Sequence, residues 1–146
     1  MLRLVLSALG LTVVTVIIHG AGTVAAAARA VRHRAEHASK PGPLGVELLM
    51  AELVGTLLLL HLAEAIVWAL FFVWFGGLAD LETAMYFSLT SYTTVGYGDV
   101  LLPGPWRLLG PIEAAVGVLM LGWSTGILVA VIGTIYRELF PASRTR

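Results

Sequence analysis

The sequence predicts an all-α membrane protein with three spanning helices and one re-entrant loop, and three observations support this fold class. Of the 146 residues, 58% are hydrophobic and 12% are charged, whereas soluble domains carry about 25% charged residues. Three apolar stretches are long enough to cross a bilayer, which takes about 20 helical residues. A shorter helical pattern and a glycine-rich strip, TTVGYGDV at residues 93–100, lie between the second and third stretches.

Composition excludes several classes of function. The formal net charge is zero, so we expect no nucleic-acid partner. The absence of cysteine excludes disulfides, thiolate metal sites and a cysteine nucleophile. The sequence contains no recognisable nucleophile–base pair, metal cluster or phosphate-binding loop. We therefore expect neither an enzyme nor a bound cofactor.

The first apolar stretch, about residues 4–28, is predicted to span the membrane, because it is longer than the about 7–15 apolar residues of a signal peptide. The basic segment after it should continue the helix until the Pro-Gly-Pro at residues 41–43. Arg29 and Arg32 have the three-residue spacing of a voltage sensor, but they lie at the end of the span. We interpret the segment as a cytoplasmic topology signal that can bind anionic lipid. Its basic residues include Arg29, Arg32, Arg34 and Lys40.

The second and third spans are predicted at about residues 44–75 and 108–136. The second is about 32 residues, or roughly 48 Å of helix, so it should tilt or protrude from the bilayer. The connection between these spans is mostly acidic, whereas the tail after the third contains Arg137, Arg144 and Arg146. Under the positive-inside rule, the N-terminus is therefore outside and the C-terminus is cytoplasmic.

The connection between the second and third spans is too polar to form a fourth span. Asp80 is a candidate N-cap for a helix of about 12 residues, which would reach roughly 18 Å, or half of the bilayer. Non-helical chain at membrane depth needs protein or water around it. Gly96 and Gly98 alternate with Val95 and Tyr97, a spacing that lets successive carbonyl groups face one side. Four such chains around one axis would form rings of oxygen for a dehydrated cation.

The pentapeptide TVGYG at residues 94–98 matches, letter for letter, the signature selectivity filter of the potassium-channel family. The chain resembles bacterial two-transmembrane potassium channels over about residues 46–137, with one additional N-terminal span. The resemblance implies an N-terminal helix and basic linker at 1–45, a pore domain at 46–137 and a short cytoplasmic tail at 138–146. It also implies a homotetramer in the plasma membrane of a bacterium or archaeon, conducting potassium passively as the permeant ion.

Carried over by position, the resemblance assigns roles to individual residues. The carbonyl groups of Thr94, Val95, Gly96 and Tyr97 should bind K⁺, with the Thr94 hydroxyl at the innermost site and Gly98 completing the filter. Asp99 should lie at the outer mouth, where Tyr86 is placed to donate a hydrogen bond to it. Thr90 replaces a glutamate that some bacterial members have behind the filter, and Thr93 leads into it. Gly122 aligns with the gating-hinge glycine of the inner helix.

Several other residues have two interpretations each. His61 and Glu64, three apart on one helical face, form either a pH-sensitive pair or, as we favour, a structural hydrogen bond. Gly122 serves either as a hinge or, with Gly126, as a site of close helix packing. Glu113 either pairs with Arg107 or contributes charge to an outer vestibule, and Trp123 is expected to pack on the pore helix.

Two alternative functions remain open from the sequence. A pore subunit of a coupled potassium transporter would usually have several single-glycine loops in one long chain, whereas this chain has one complete signature. A poorly selective cation channel would need a degraded filter. The potassium-selective channel is the function that the sequence favours.

Overall fold

The computed structural model describes residues 1–36 and 42–139, which form four α-helices: α1 (Leu2–Glu36), α2 (Pro43–Phe71), α3 (Leu81–Tyr92) and α4 (Leu109–Leu139). The described ranges contain no strand. Helical segments long and apolar enough to cross a membrane cover Leu2–Arg29, Leu44–Phe75 and Leu109–Arg137. The prediction of an all-α membrane fold with three spanning helices is confirmed.

Some sequence predictions fall on residues outside the described ranges. These residues are 37–41 and 140–146, which include Lys40, Arg144 and Arg146. Helix α1 continues to Glu36, as the predicted helical register of the basic segment requires. Helix α2 begins at Pro43 with Gly42 as its N-cap. Proline suits the first turn, because the backbone N–H that it lacks would have no intrahelical acceptor there.

The second span ends in a π-helical turn, Phe72–Gly76, which the sequence did not predict. Gly77 stops the turn with a left-handed φ of 81°, and its N–H donates to the Phe72 carbonyl. A β-carbon on Gly77 would also lie 3.0 Å from the Pro103 ring. Only glycine adopts this backbone conformation without strain, so Gly77 fixes where the chain turns away from the span toward α3.

The predicted N-cap of α3 is confirmed. The Asp80 Oδ1 atom accepts from the Thr83 backbone N–H at 2.8 Å, and its Oδ2 atom accepts from the Thr83 hydroxyl at 2.9 Å. The backbone bond is the main cause that lowers the pKa of Asp80. The cap begins a helix of 12 residues, about half of the length needed to span a bilayer.

The core of the chain lies where α3 packs between α2 and α4. The Phe72 ring contacts Phe87 edge-on, with centroids 5.3 Å apart, and it also lies beside Trp68. Helix α1 packs against both α2 and α4, and the Trp68 indole N–H donates to the Thr15 hydroxyl at 3.0 Å. One stripe of α1 is buried by this packing: Leu4, Ala8, Leu11, Thr15, His19 and Thr23.

Candidate functional site: a pore loop and a buried polar ring

The loop directly after α3 has an alternating backbone. Thr94, Gly96 and Gly98 have positive φ angles of 64°, 50° and 78°, whereas Val95 and Tyr97 do not. The glycines were expected to adopt such angles. Thr94 was not, and a positive φ is uncommon for a residue with a β-carbon. Backbone strain of this kind is typical of residues at functional sites.

Backbone hydrogen bonds hold the start of this loop against the end of α3. The Thr94 N–H donates to the Ser91 carbonyl at 2.9 Å, and the Gly96 N–H donates to the Thr90 carbonyl at 3.0 Å. Within the described part of one chain, no hydrogen bond ends on the carbonyl groups of residues 94–97. Residues 93–99, which we call the filter strip, are all exposed, and the Tyr97 side chain is 71% exposed. Four successive carbonyl groups therefore remain available for a ligand.

The outer end of the filter strip is fixed by a side-chain hydrogen bond. The Tyr86 hydroxyl donates to Asp99 Oδ2 at 2.7 Å, the bond for which the sequence placed Tyr86. The Tyr86 and Tyr97 rings stack nearly parallel, with centroids 6.4 Å apart. The bond to Tyr86 is the main cause that lowers the pKa of Asp99, and the same bond raises the pKa of Tyr86. Asp99 therefore stays ionised to a lower pH than an ordinary aspartate.

The hydroxyl groups of Thr90 and Thr93 both bond to their own helix. Thr90 donates to the Phe87 carbonyl at 3.0 Å, and Thr93 donates to the Leu89 carbonyl at 2.6 Å. The hydrogen bond between Thr90 and the filter strip uses the Thr90 backbone carbonyl. A cleft of about 400 Å³ lies behind the strip, between α3 and the start of α4, and its lining includes Phe87, Ser91, Thr94, Gly96 and Val100.

His61 and Glu64 belong to a larger network than the predicted pair. The closest approach of the two is 3.6 Å, between His61 Nδ1 and Glu64 Oε2. Glu64 Oε1 is bonded instead to His19 Nδ1 of α1 at 2.8 Å, and Glu64 Oε2 accepts from the Tyr92 hydroxyl. Ser124 of α4 completes the group, which we call the polar ring: His19, His61, Glu64, Tyr92 and Ser124.

Sequence analysis missed three members of the polar ring. His19 offered a signal, since an ionisable residue within an apolar span usually faces protein or water. Tyr92 and Ser124 offered none, because polar residues of these types are common in membrane helices. The ligating atoms of His19, His61 and Glu64 lie within 4.8 Å of one another. Each of these atoms already has a protein partner, so we assign no metal to the polar ring.

The expectation for Glu113 was wrong, and that for Trp123 stays a prediction. Glu113 is fully buried and its Oε1 atom lies 2.5 Å from the Ser88 hydroxyl, so it contributes to neither an Arg107 pair nor an exposed vestibule. The cause is the close packing of α4 on α3, which covers the first turns of α4. The Trp123 ring lies beside His19 of α1, with centroids 5.2 Å apart.

The glycines of α4 differ in their surroundings. A β-carbon on Gly117 would overlap the backbone carbonyl oxygen of Tyr92, so α4 and α3 touch backbone to backbone at this point. A β-carbon on Gly122 or on Gly126 would meet no neighbouring atom within 4 Å in one chain. Both interpretations of Gly122, as a hinge and as a packing site, therefore stay predictions.

Comparison with known proteins identifies the class. Residues 56–134, more than half of the chain, match the family described as "Ion channel", and the chain belongs to this family. The matched region contains most of α2, all of α3 and the filter strip, and most of α4. Three helices of the chain are long and apolar enough to cross a membrane.

One curated relative has a different name. Over 96 residues the chain is 34% identical to a phospho-N-acetylmuramoyl-pentapeptide-transferase from Maricaulis maris (strain MCS10). The match covers 64% of this chain but only 24% of the transferase, so the chain corresponds to about a quarter of that protein. No solved structure matches the chain.

Proposed function

We propose that the protein is a potassium-selective channel that conducts K⁺ passively and assembles as a homotetramer. The observation that carries this proposal is the exposed TVGYG strip, with its alternating φ angles, directly after a half-length helix between two spans. The membership of the chain in an ion-channel family supports it.

The backbone of the filter strip supplies the ligands. Carbonyl oxygens of Thr94, Val95, Gly96 and Tyr97 would replace the water shell of a dehydrated K⁺, with the Thr94 hydroxyl at the innermost position. Ions in consecutive sites repel one another, which favours movement along the row. The C-terminal end of α3 lies directly before the strip, and the partial negative charge of a helix C-terminus stabilises a nearby cation.

Four copies are needed because one chain supplies only one strand of carbonyl groups. The exposure of the whole strip in a single chain supports this step, since unpaired carbonyl groups are not stable at membrane depth without partners. The bound ion, together with three further chains, would supply those partners. Four-fold packing would also cover apolar side chains on the strip, among them Val95, which is 52% exposed in one chain.

We infer the orientation from charge. Arg29 and Arg32 lie at the end of the first span, and Arg137 lies at the end of the third. Asp80, Glu82 and Asp99 lie in the connection between the second and third spans. The basic ends face the cytoplasm under the positive-inside rule, which places the N-terminus and the filter mouth outside. The membrane would be the plasma membrane of a bacterium or archaeon.

Recording from purified protein in planar bilayers, with K⁺ on one side and Na⁺ on the other, tests this function. We expect a reversal potential close to that of a K⁺-selective pore, at currents that need no co-transported ion. Gly96→Ala should abolish K⁺ current or selectivity, because a β-carbon disfavours its φ of 50°. Gly104→Ala is the matched control, since Gly104 lies outside the strip and has open space around it.

Three results would contradict the proposal. Equal permeability to Na⁺ would favour the poorly selective cation channel. A strict requirement for a second ion would favour the transporter subunit. Unchanged selectivity in Gly96→Ala would exclude the strip as the filter.

A further inference from the structure

The polar ring is a closed cycle of five side chains from all four helices. Glu64 Oε1 is bonded to His19 Nδ1 at 2.8 Å, and His19 Nε2 is bonded to the Ser124 hydroxyl at 3.4 Å. Ser124 is also bonded to His61 Nε2 at 3.0 Å, and His61 Nδ1 is bonded to the Tyr92 hydroxyl at 2.9 Å. The Tyr92 hydroxyl closes the cycle by donating to Glu64 Oε2. Each side chain is bonded to two others, so five hydrogen bonds, which we call links, join the five side chains.

Counting hydrogens shows which protonation state fills these links. Each link needs one hydrogen between its two heavy atoms. The hydroxyls of Tyr92 and Ser124 and the neutral imidazoles of His19 and His61 supply one hydrogen each, and an ionised Glu64 supplies none. Four hydrogens leave one of the five links unfilled. One additional proton fills the cycle and also makes its net charge zero.

The additional proton belongs on a histidine, because imidazole is more basic than carboxylate by about 2 pKa units. The orientation of the Ser124 hydroxyl decides which one carries it. When Ser124 donates to His61, His19 must donate at both nitrogens and is the imidazolium. When Ser124 donates to His19, His61 carries the charge. The proton passes between α1 and α2 when the Ser124 hydroxyl accepts a hydrogen from one histidine and gives its own hydrogen to the other.

The surroundings of the polar ring favour its neutral state. His19, Glu64 and Tyr92 are almost fully buried, and His61 is the most exposed member, with a side chain 13% exposed. An isolated charge in such an environment is strongly unfavourable. From α4, Glu113 acts electrostatically on Tyr92 and bonds to Ser88, one helical turn before it. The Trp123 ring covers His19 from the same helix.

Tyr92 connects the polar ring to the filter strip. It is the last residue of α3, and the strip begins at the next residue. Its carbonyl group packs against Gly117, so its backbone has little room to move on that side. Its hydroxyl is fixed by Glu64 and His61. A change in either of these bonds would act on the residue that precedes the filter.

We propose that the polar ring holds one exchangeable proton and that this proton regulates conduction by fixing Tyr92 under the filter. The proposal rests on the proposed channel function. Losing the proton as pH rises leaves one link without a hydrogen. Gaining a second as pH falls makes two hydrogens oppose each other in one link. K⁺ current should therefore pass through a maximum as pH changes.

The variant Glu64→Gln distinguishes a proton shared by the polar ring from the titration of a single side chain. A glutamine accepts through its oxygen and donates through its nitrogen, so it brings the missing hydrogen. The cycle is then filled with both histidines neutral and needs no additional proton. His61→Gln differs, because glutamine replaces a group that already donated one hydrogen. That variant still needs the additional proton, which His19 can carry.

The test measures K⁺ current of the full-length protein in bilayers from about pH 4 to about pH 9, which brackets the ordinary pKa values of glutamate and histidine. We expect the wild-type current to fall about tenfold on each side of its maximum, equal to about 1.4 kcal/mol, the scale of one unsatisfied buried group. The K⁺ current of Glu64→Gln should change by less than about twofold over the same pH range, which corresponds to less than about 0.5 kcal/mol. Glu52→Gln, an exposed change on the same helix, should behave as wild type.

Each outcome decides the proposal. A response abolished by Glu64→Gln and kept by His61→Gln supports it. The same response in wild type and Glu64→Gln overturns it. Loss of the response in both variants also overturns it, because the response would then belong to the His61–Glu64 pair and not to a proton that His19 can carry. Absence of K⁺ current at every pH would mean that the proposed channel function has failed instead.

Nitrogen NMR of labelled histidines gives a second readout that needs no current and applies even if Glu64→Gln does not assemble. Wild type should show one imidazolium shared by His19 and His61. Two independently titrating histidines, or two neutral ones at neutral pH, would overturn the shared proton.

Discussion

The filter strip and the polar ring are both polar regions at membrane depth, yet they satisfy their polar groups in opposite ways. The strip leaves the carbonyl groups of residues 94–97 without a hydrogen-bond donor in the described part of the chain. The ring pairs every polar atom of its five side chains within one chain. Buried polar groups need partners in either case. Under the proposed function the strip would find its partners in other copies and an ion, whereas the ring finds one of its partners in α1.

The largest effect is expected where the two regions meet. Gly117→Ala should prevent normal packing of α4 on α3, because the new methyl group would overlap the Tyr92 carbonyl oxygen. We expect a loss of several kcal/mol in the free energy of unfolding, measured by denaturation of the purified protein in detergent. Gly126→Ala is the matched control, since its added methyl group meets open space in one chain. Equal stability of the two variants would contradict the backbone contact at Gly117.

A smaller effect is expected from a change that loosens α1 and so weakens the polar ring alone. Thr15→Val removes the hydroxyl that accepts from the buried Trp68 indole. Leaving this N–H without a partner should reduce the free energy of unfolding by about 1–3 kcal/mol. Thr12→Val is the control, because the Thr12 hydroxyl bonds only to the Ala8 carbonyl of its own helix. Equal free energies of unfolding for Thr15→Val and Thr12→Val would contradict a stabilising role for the Trp68–Thr15 bond.

The smallest effect is expected at the outer end of the filter strip. Tyr86→Phe removes the bond that lowers the pKa of Asp99, so this pKa should rise toward its ordinary value. Because the folded pKa is lowered, the stabilisation from the bond is present above the ordinary pKa and is lost as pH falls through the folded value. Carbon NMR of the Asp99 carboxyl group measures the shift. Glu82→Gln on the same helix should leave it unchanged.

The sequence predicted the parts of the molecule that depend on local pattern. Span positions followed from hydropathy, the start of α3 followed from Asp80, and the alternating backbone followed from Gly96 and Gly98. The positive φ of Thr94 did not follow, because its neighbours in space rather than its residue type determine it.

The polar ring could not be predicted in full, because its members come from four helices. His19 is 45 residues from Glu64 and 105 residues from Ser124. Pairing across such separations depends on how the helices pack, which periodicity does not specify. Within α2, the three-residue spacing of His61 and Glu64 did indicate a shared face, but their strongest bonds are to other helices. Glu113 was misplaced for the same reason, since its partner lies on α3.

The backbone contact at Gly117 has a mechanical consequence for α4. A helix that touches its neighbour main chain to main chain cannot slide there, so Gly117 acts as a fulcrum and the remainder of α4 is a lever arm. Gly122, Gly126 and Gly133 lie along this arm with open space beside them in one chain. Ser124 lies on the same arm. If this part of α4 swung away from α1 and α2, the Ser124 hydroxyl would leave both His19 and His61. The same movement would therefore displace the C-terminal part of α4 and open the polar ring.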